Sequence, residues 1–379
     1  MIKNNLKYVT KTIEHILNSN SIMIYGAGTM GKAVRKCLTE SPYNILVRGF
    51  IVRSMDDNAC MVDELPVIDI GHASSYKTST VIIALNGKLI QTVIDDLTNA
   101  GFGDVVPVSF DGDEWTAIRG NWIKANRILL HDIQYLNEII FCDSNKIHNS
   151  LCERIHIFVA HSIYDKTLSE NLVEQPYEIS IQVGTALTET VMFDVRDSVG
   201  EDNISLKNKQ YCELTGIYWA WKNDTSDYIG FSHYRRRFVL SDNQIDYICS
   251  GEVDVIVTEP ILNFATVKGQ YYKDHDGRDW EILIEAISKF ANEYLDAAKK
   301  IQDGIYYFAY NMFIMKRDVL SQYCNFIFPI LEYCEKKIGK KVDTYQNRYI
   351  GFLAERLLSI FLEKNYYLKV AIADKIFLE

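Results

Sequence analysis

Two rhythms of apolar and polar residues run through this chain, and its first 110 residues carry both. Residues 6–17 have helical spacing. Residues 21–25 form an apolar run read as a strand, followed by a helix at 32–38 and a second strand at 45–52. The strand pattern continues at 65–68, 81–85 and 105–108, with a helix at 88–100 stopped by Gly101. Such βαβ alternation predicts a small parallel sheet covered by helices, ending near Phe110. Residues 117–140, with Trp122, Ile128, Leu129, Ile133, Leu136 and Ile140 as apolar members, read as a linker helix. Strands are then expected from Arg154 (IHIFVAHS), at 179–183, 228–231 and 253–257, and within 310–316. A short turn or helix at 185–188 and helices containing 214–221, 280–290 and 345–362 alternate with them, Asn208 being a plausible N-cap for the first of the three longer ones. No repeat or low-complexity tract interrupts the chain. The expected organisation is 1–110, a linker helix region 111–153, and a second domain 154–379, all of α/β class.

Length supports that division, because 379 residues exceed what one core usually holds. Forty basic against fifty acidic residues, a net charge of −10, argue against a nucleic-acid binder while permitting a local anion site. Eight cysteines without a CxxC pair suggest reduced thiols. Residues 1–20 lack a signal-peptide core, and no apolar run approaches the ~20 residues of a membrane span. The expectation is a cytoplasmic protein. With 24 tyrosines and 17 phenylalanines, peripheral contact with the inner face of the cell membrane stays open.

Candidate chemistry gathers in a few places. Gly26, Gly28 and Gly31 form GxGxxG between a predicted strand and helix, a loop that lets backbone N–H groups approach a phosphate. The tip of the next strand carries Arg53 and Ser54 where a ribose-binding acid would stand, with Asp56 and Asp57 close by; this speaks against a nicotinamide cofactor. The loop delivers no acid, base or nucleophile. Farther on, the strand at 228–231 runs into His233, Tyr234, Arg235, Arg236 and Arg237. Strand ends of open α/β sheets are where ligands collect, so this cationic end is a candidate anion site, and His161 stands at the end of the predicted strand that opens the second domain. In an extended segment Arg235 and Arg237 should share one face and Arg236 the other. Asp202 and Asn203 sit in a polar loop suited to sugar hydroxyls or simply to turning. Tyr272, His275, Asp276 and Asp279 lie in a polar-aromatic cluster fit for a sugar, Asp279 serving equally as a helix cap. Asn311 precedes a strand. Glu355 and Arg356 interrupt an otherwise apolar helix and need partners or a cleft.

Two resemblances follow from these residues. IYGAGxxGK at 24–32 is similar to the opening of small Rossmann-like modules attached to bacterial polysaccharide-biosynthesis enzymes. IHIFVAHS, IQVGTAL, DNISLKNKQYCELTGIYWAWKN, DYIGFSHYRRRF, NMFIMK and GFLAERLL resemble, in order and spacing, a capsular-polysaccharide glycosyltransferase family first catalogued as a domain of unknown function. Some of its members are galactofuranosyltransferases with a GT-A-like fold. The resemblance implies a Rossmann-like module joined to a GT-A-like glycosyltransferase domain. It further implies a nucleoside diphosphate sugar as donor, a lipid-linked or oligosaccharide acceptor, and a base equivalent to His275 or Asp279. Glu355 is a second candidate base. His161, Asp202, Asn203, His233, Arg235 and Arg236 are then candidates for the donor, and Tyr272, Asp276 and Asn311 for the acceptor. The Asp-x-Asp pair that usually holds Mn²⁺ or Mg²⁺ in such folds is replaced by the His233 segment. Either arginines clamp the diphosphate or His233 helps hold a metal. The competing readings are an NAD(P)-dependent sugar oxidoreductase or epimerase, and a non-catalytic nucleotide-sugar-binding protein.

Overall fold

The computed structural model describes residues 6, 9–56, 58–85, 87–129, 133–139, 154–169, 173–263 and 265–378. Asp57 and Ile140 lie outside the described residues, as do 130–132 and 141–153 of the expected linker region. Two compact units divide the chain, Met1–Leu130 and His131–Glu379.

The first unit opens with α1 (Lys11–Asn18), whose start is fixed by Thr10 accepting a hydrogen bond from the Ile13 amide. It continues through β1 (Ile22–Tyr25), α2 (Thr29–Thr39), β2 (Val47–Val52), β3 (Met61–Val62), β4 (Leu65–Asp69), β5 (Thr80–Leu85), α3 (Gly87–Asn99), β6 (Val105–Ser109) and α4 (Asp113–Ala125). Strand order is β3-β4-β2-β1-β5-β6, parallel apart from the short β3. The expected small parallel sheet is present, with Met23, Ile51, Val81, Ile83 and Leu97 in one of its apolar clusters.

The stretch expected as one helix over 117–140 divides instead. Helix α4 ends at Ala125, Arg127 takes a left-handed φ of 50°, and Gln134–Tyr135 is a strand (β7) of the second unit. Helical spacing alone could not reveal this, because Leu136 serves the core of the second unit. At the glycine loop, Gly26 has φ +106°, and a Cβ on Gly31 would lie 1.8 Å from the Gly26 carbonyl oxygen. Gly31→Ala is therefore expected to cost about 3 kcal/mol, the upper end of overpacking penalties. Thermal denaturation of the full chain checks this, with Gly28→Ala, whose Cβ would meet nothing within 4 Å, as the comparison.

After β7, the second unit runs through β8 (Ile155–His161), β9 (Glu178–Gln182), β10 (Val195–Arg196), α5 (Asn208–Tyr211), α6 (Leu214–Asn223), β11 (Tyr228–His233), β12 (Arg236–Val239), α7 (Asp242–Cys249) and β13 (Val255–Thr258). Then come β14 (Ile261–Leu262), α8 (Val267–Asp274), α9 (Gly277–Phe290), α10 (Leu295–Asp303), β15 (Tyr306–Tyr307), β16 (Phe313–Lys316), α11 (Arg317–Ile338), α12 (Tyr349–Lys364) and β17 (Val370–Phe377). Strands β10, β9, β8 and β11 are mutually parallel neighbours. On the other side of β11 lies antiparallel β16, which pairs with β13; β13 pairs in parallel with β17, and β17 returns through β12 to the end of β11. These five strands close a circuit. One side of the sheet buries Ile157, Tyr228, Ile248, Ile256 and Ile314. No helix among the described residues is long and apolar enough to cross a membrane.

Asn208 does not cap the expected long helix. It lies in the short α5, and its amide donates to the Cys212 carbonyl (2.8 Å) and Thr215 Oγ1 (3.0 Å). Cys212, with φ 51°, separates α5 from α6. Asp276, not Asp279, caps α9 by accepting from the Arg278 amide.

Candidate functional site

Among the described residues of the second unit, three non-glycine residues have left-handed backbones: Cys212, Tyr310 (φ 71°) and Asn311 (φ 49°). Such conformations cost on the order of 1–3 kcal/mol each and persist only where the surroundings enforce them. Here they hold carboxylates. The Tyr310 amide donates to Glu355 Oε1 (2.9 Å), and the Asn311 side-chain amide donates to Glu213 Oε1 (2.6 Å). Glu213 itself directly follows Cys212. The Tyr310–Asn311 corner, placed just before β16, thus fixes one carboxylate from α12 and one from the start of α6.

The end of β11 meets the same corner. His233 Nε2 lies 2.5 Å from the Tyr310 carbonyl, a bond in which the ring nitrogen donates. The Arg236 guanidinium stands 4.5 Å over the Tyr310 ring and 5.0 Å over Phe377. Glu355 Oε2 pairs with Arg356 at 2.8 Å, and Arg356 also reaches Gln270 Oε1 (2.8 Å) and stacks on Tyr307 at 4.2 Å. Burial raises the Glu355 carboxyl above its usual range; Arg356 and the Tyr310 amide pull it back, and the nearby Glu213 charge pushes it up again. A carboxyl poised this way is suited to accept a proton.

Of the residues expected from sequence, His233, Arg236, Asn311 and Glu355 come together here. His275 joins through aromatic contacts, its ring stacked on Phe352 of α12 at 4.2 Å, with Tyr345 6.2 Å away. Burial first, then Arg356, pushes the His275 pKa down to about 4. An NMR titration is accordingly expected to place its imidazole midpoint well below the ordinary value of about 6.5. Because the depressed value favours the neutral folded form, its stabilising contribution is full above about 6.5 and is lost as pH falls from there toward about 4.

Other expected residues sit apart. His161, at the end of β8, pairs with Asp165 (3.3 Å) and packs against Phe193 (4.7 Å) and Tyr234 (6.1 Å). Arg235 Nε donates to the Leu378 carbonyl (3.0 Å). The expected face-sharing of Arg235 and Arg237 fails, because Arg235 is still in the turn and strand alternation starts at Arg236. Both Arg235 and Arg236 stand over Phe377, whereas Arg237 is buried in a two-bond pair with Glu178 at 2.8 and 2.6 Å. Asp202 accepts from Tyr218 Oη (2.6 Å), and Asn203 holds its own turn through the Ser198 and Gly200 carbonyls. Tyr272 is half exposed and donates to Glu281. Asp279 is fully buried against Lys341 and Tyr271. In the first unit, Arg53 is occupied by Asp96 at 2.9 Å.

Sequence reasoning missed Glu213, Cys212 and Arg348, whose Nε donates to Cys212 Sγ at 3.1 Å. It assigned no role to Asp197 either. That carboxylate is buried and accepts from the Gly184 and Thr185 amides, Thr185 Oγ1 and Ser205 Oγ, tying the loop after β9 to the approach to α5. Among the described residues no three His, Cys, Asp or Glu side chains gather as a metal-binding group, so His233 has no such partners.

A family model described as "Domain of unknown function (DUF4422)" matches residues 157–366. A solved structure titled "WbbM bifunctional glycosytransferase apo structure" is similar with TM-score 0.53 and 26% identity, over 59% of this chain and 45% of that one. The match thus spans under half of that protein. No curated protein matches the chain.

Proposed function

This chain belongs to the DUF4422 family, and we propose from that premise that it is a glycosyltransferase. The observation that carries the reading is the half-buried Glu355 carboxylate, its pKa raised, held by the Tyr310 amide at a corner that also binds the end of β11. The likeness to a bifunctional glycosyltransferase supports it. In an inverting transfer, Glu355 takes the proton of the acceptor hydroxyl as that oxygen bonds to the donor's anomeric carbon. The bond from that carbon to the diphosphate oxygen breaks, and the nucleoside diphosphate leaves with the electron pair. Arg235 and Arg236, on the approach to β12, meet the leaving charge, with His161 and His233 at the adjoining strand ends. The donor is a nucleoside diphosphate sugar, with UDP-galactofuranose the first to test, and the acceptor is a lipid-linked or growing surface polysaccharide on a GT-A-like scaffold. No step is assigned to Mn²⁺ or Mg²⁺.

The experiment is to incubate the full chain with a panel of UDP- and other activated sugars and measure nucleotide release, with Mn²⁺, with Mg²⁺ and with chelator. Release that depends on Arg235 and Glu355 is expected. Absence of release from every donor, or a nicotinamide absorbance change without release, would overturn the proposal.

A further inference from the structure

The face of α12 that carries Glu355 also carries Phe352, three residues before it on one helical stripe, and Arg348 stands in the turn just before the helix. Phe352 and Glu355 are thus about one helical turn, roughly 5 Å, apart along the axis. On Phe352 rests His275, and beside both stands Tyr345, 5.2 Å from Phe352 and 56% exposed. Arg348 lies 5.9 Å from the Phe352 ring and is exposed.

We propose that this aromatic stack, Tyr345 outermost and Arg348 at its border, is where the acceptor saccharide is seated; the proposal rests on the transferase reading above. The apolar C–H face of a sugar ring packs on aromatic surface while its hydroxyls bond at the edge. Arg348 supplies edge donors for hydroxyl oxygens. A hydroxyl projecting along the α12 stripe from a ring on this stack faces Glu355, the group assigned to remove its proton.

The surface is held ready. Tyr345 belongs to the segment between α11 and α12, which is pinned at several points. The Lys341 ammonium pairs with the buried Asp279, the Lys341 amide donates to Asn347 Oδ1 (2.9 Å), and Gln346 Nε2 donates to the Asp274 carbonyl (3.0 Å). A pre-positioned aromatic loses less freedom on binding than a mobile one. His275, neutral at ordinary pH, places no charge beneath the sugar. The groove lined by Tyr218, Trp221 and Phe328 makes a contrast. There Trp221 is covered by Phe328 stacked at 5.9 Å and by Lys222 at 3.9 Å, so it presents no comparable open face.

Saturation-transfer NMR on the full chain with methyl β-galactopyranoside and methyl α-glucopyranoside at millimolar concentration tests the site directly. Transfer to ring C–H protons is expected in the native chain and in Tyr345→Trp. Affinity should be about tenfold weaker in Tyr345→Ala, the scale of one lost aromatic contact, and unchanged in Tyr366→Ala, a distant exposed tyrosine. No transfer to the native chain, or equal transfer with Tyr345→Ala, would overturn the proposal. With a productive donor and acceptor in hand, Tyr345→Ala should raise the acceptor KM and spare the donor KM. Glycoside binding at the stack without turnover of any donor would retain the saccharide site and sink the transferase reading, so the two fail separately.

Discussion

Glutamine in place of Glu355 is expected to lower the turnover of sugar transfer by about 10²–10⁴-fold, the usual worth of a general base, while leaving donor affinity intact. The amide oxygen introduced by Glu355→Gln can still accept from the Tyr310 N–H, but the buried Arg356 guanidinium loses its carboxylate, so the melting temperature should fall as well and turnover is compared on the folded fraction. The pH profile sharpens the test. Burial raises the Glu355 carboxyl, so the working carboxylate appears only above the ordinary range, and the wild-type rate should climb with pH through that raised value. Glu213→Gln removes a negative neighbour and should shift the climb toward lower pH. The same shift costs stability: the folded state prefers the protonated group, so its contribution is full below the ordinary carboxyl range and declines as pH rises through the raised value. A Glu355→Gln enzyme turning over near the wild-type rate would remove this residue from the chemistry.

Asp279→Ala should damage stability strongly, costing about 3 kcal/mol, because it removes the buried partner of the Lys341 ammonium and leaves only the more distant Asp276 carboxylate, 3.7 Å away. Burial raises the Asp279 carboxyl and Lys341 draws it back down, as expected of an ion pair removed from solvent. Replacing both partners by apolar residues, Asp279→Leu with Lys341→Met, should recover most of the loss. Urea unfolding of the single and double variants separates two roles. If Asp279 were the base, Asp279→Asn would abolish activity with little change in stability, whereas the ion-pair role predicts lost stability as the main effect.

Much of this arrangement was legible before any coordinates. Strands β1, β5, β8, β11 and β13 are short apolar runs bounded by polar breaks, and buried parallel strands read clearly in that form. The glycine loop was legible because only glycine fits at Gly31. Glu355 stood out because a charge on an apolar helix must find a partner. The carboxylate pair was not legible. Glu213 looks like an ordinary residue near a helix start, and nothing local says that Cys212 breaks the helix and turns it toward Asn311. Asp279 misled for the opposite reason: its polar neighbourhood suggested a solvent-facing cluster, while its partner, Lys341, lies beyond two helices. The 22-residue α11 and the strand β17 escaped because mixed polar and aromatic residues blur both periods.

The strand circuit has a consequence for synthesis. β12 and β13 leave the ribosome long before β17, the strand that lies between them and pairs with both. Until residues 370–377 emerge, both strands present open backbone edges, and such edges invite pairing with other nascent chains. The Leu378 amide then donates to the Arg235 carbonyl, and Arg235 donates back to the Leu378 carbonyl. Residue 378 must therefore be in place before the arginine turn assigned to the leaving diphosphate gains these two bonds, whereas its pairing of His233 with Arg236 can form earlier.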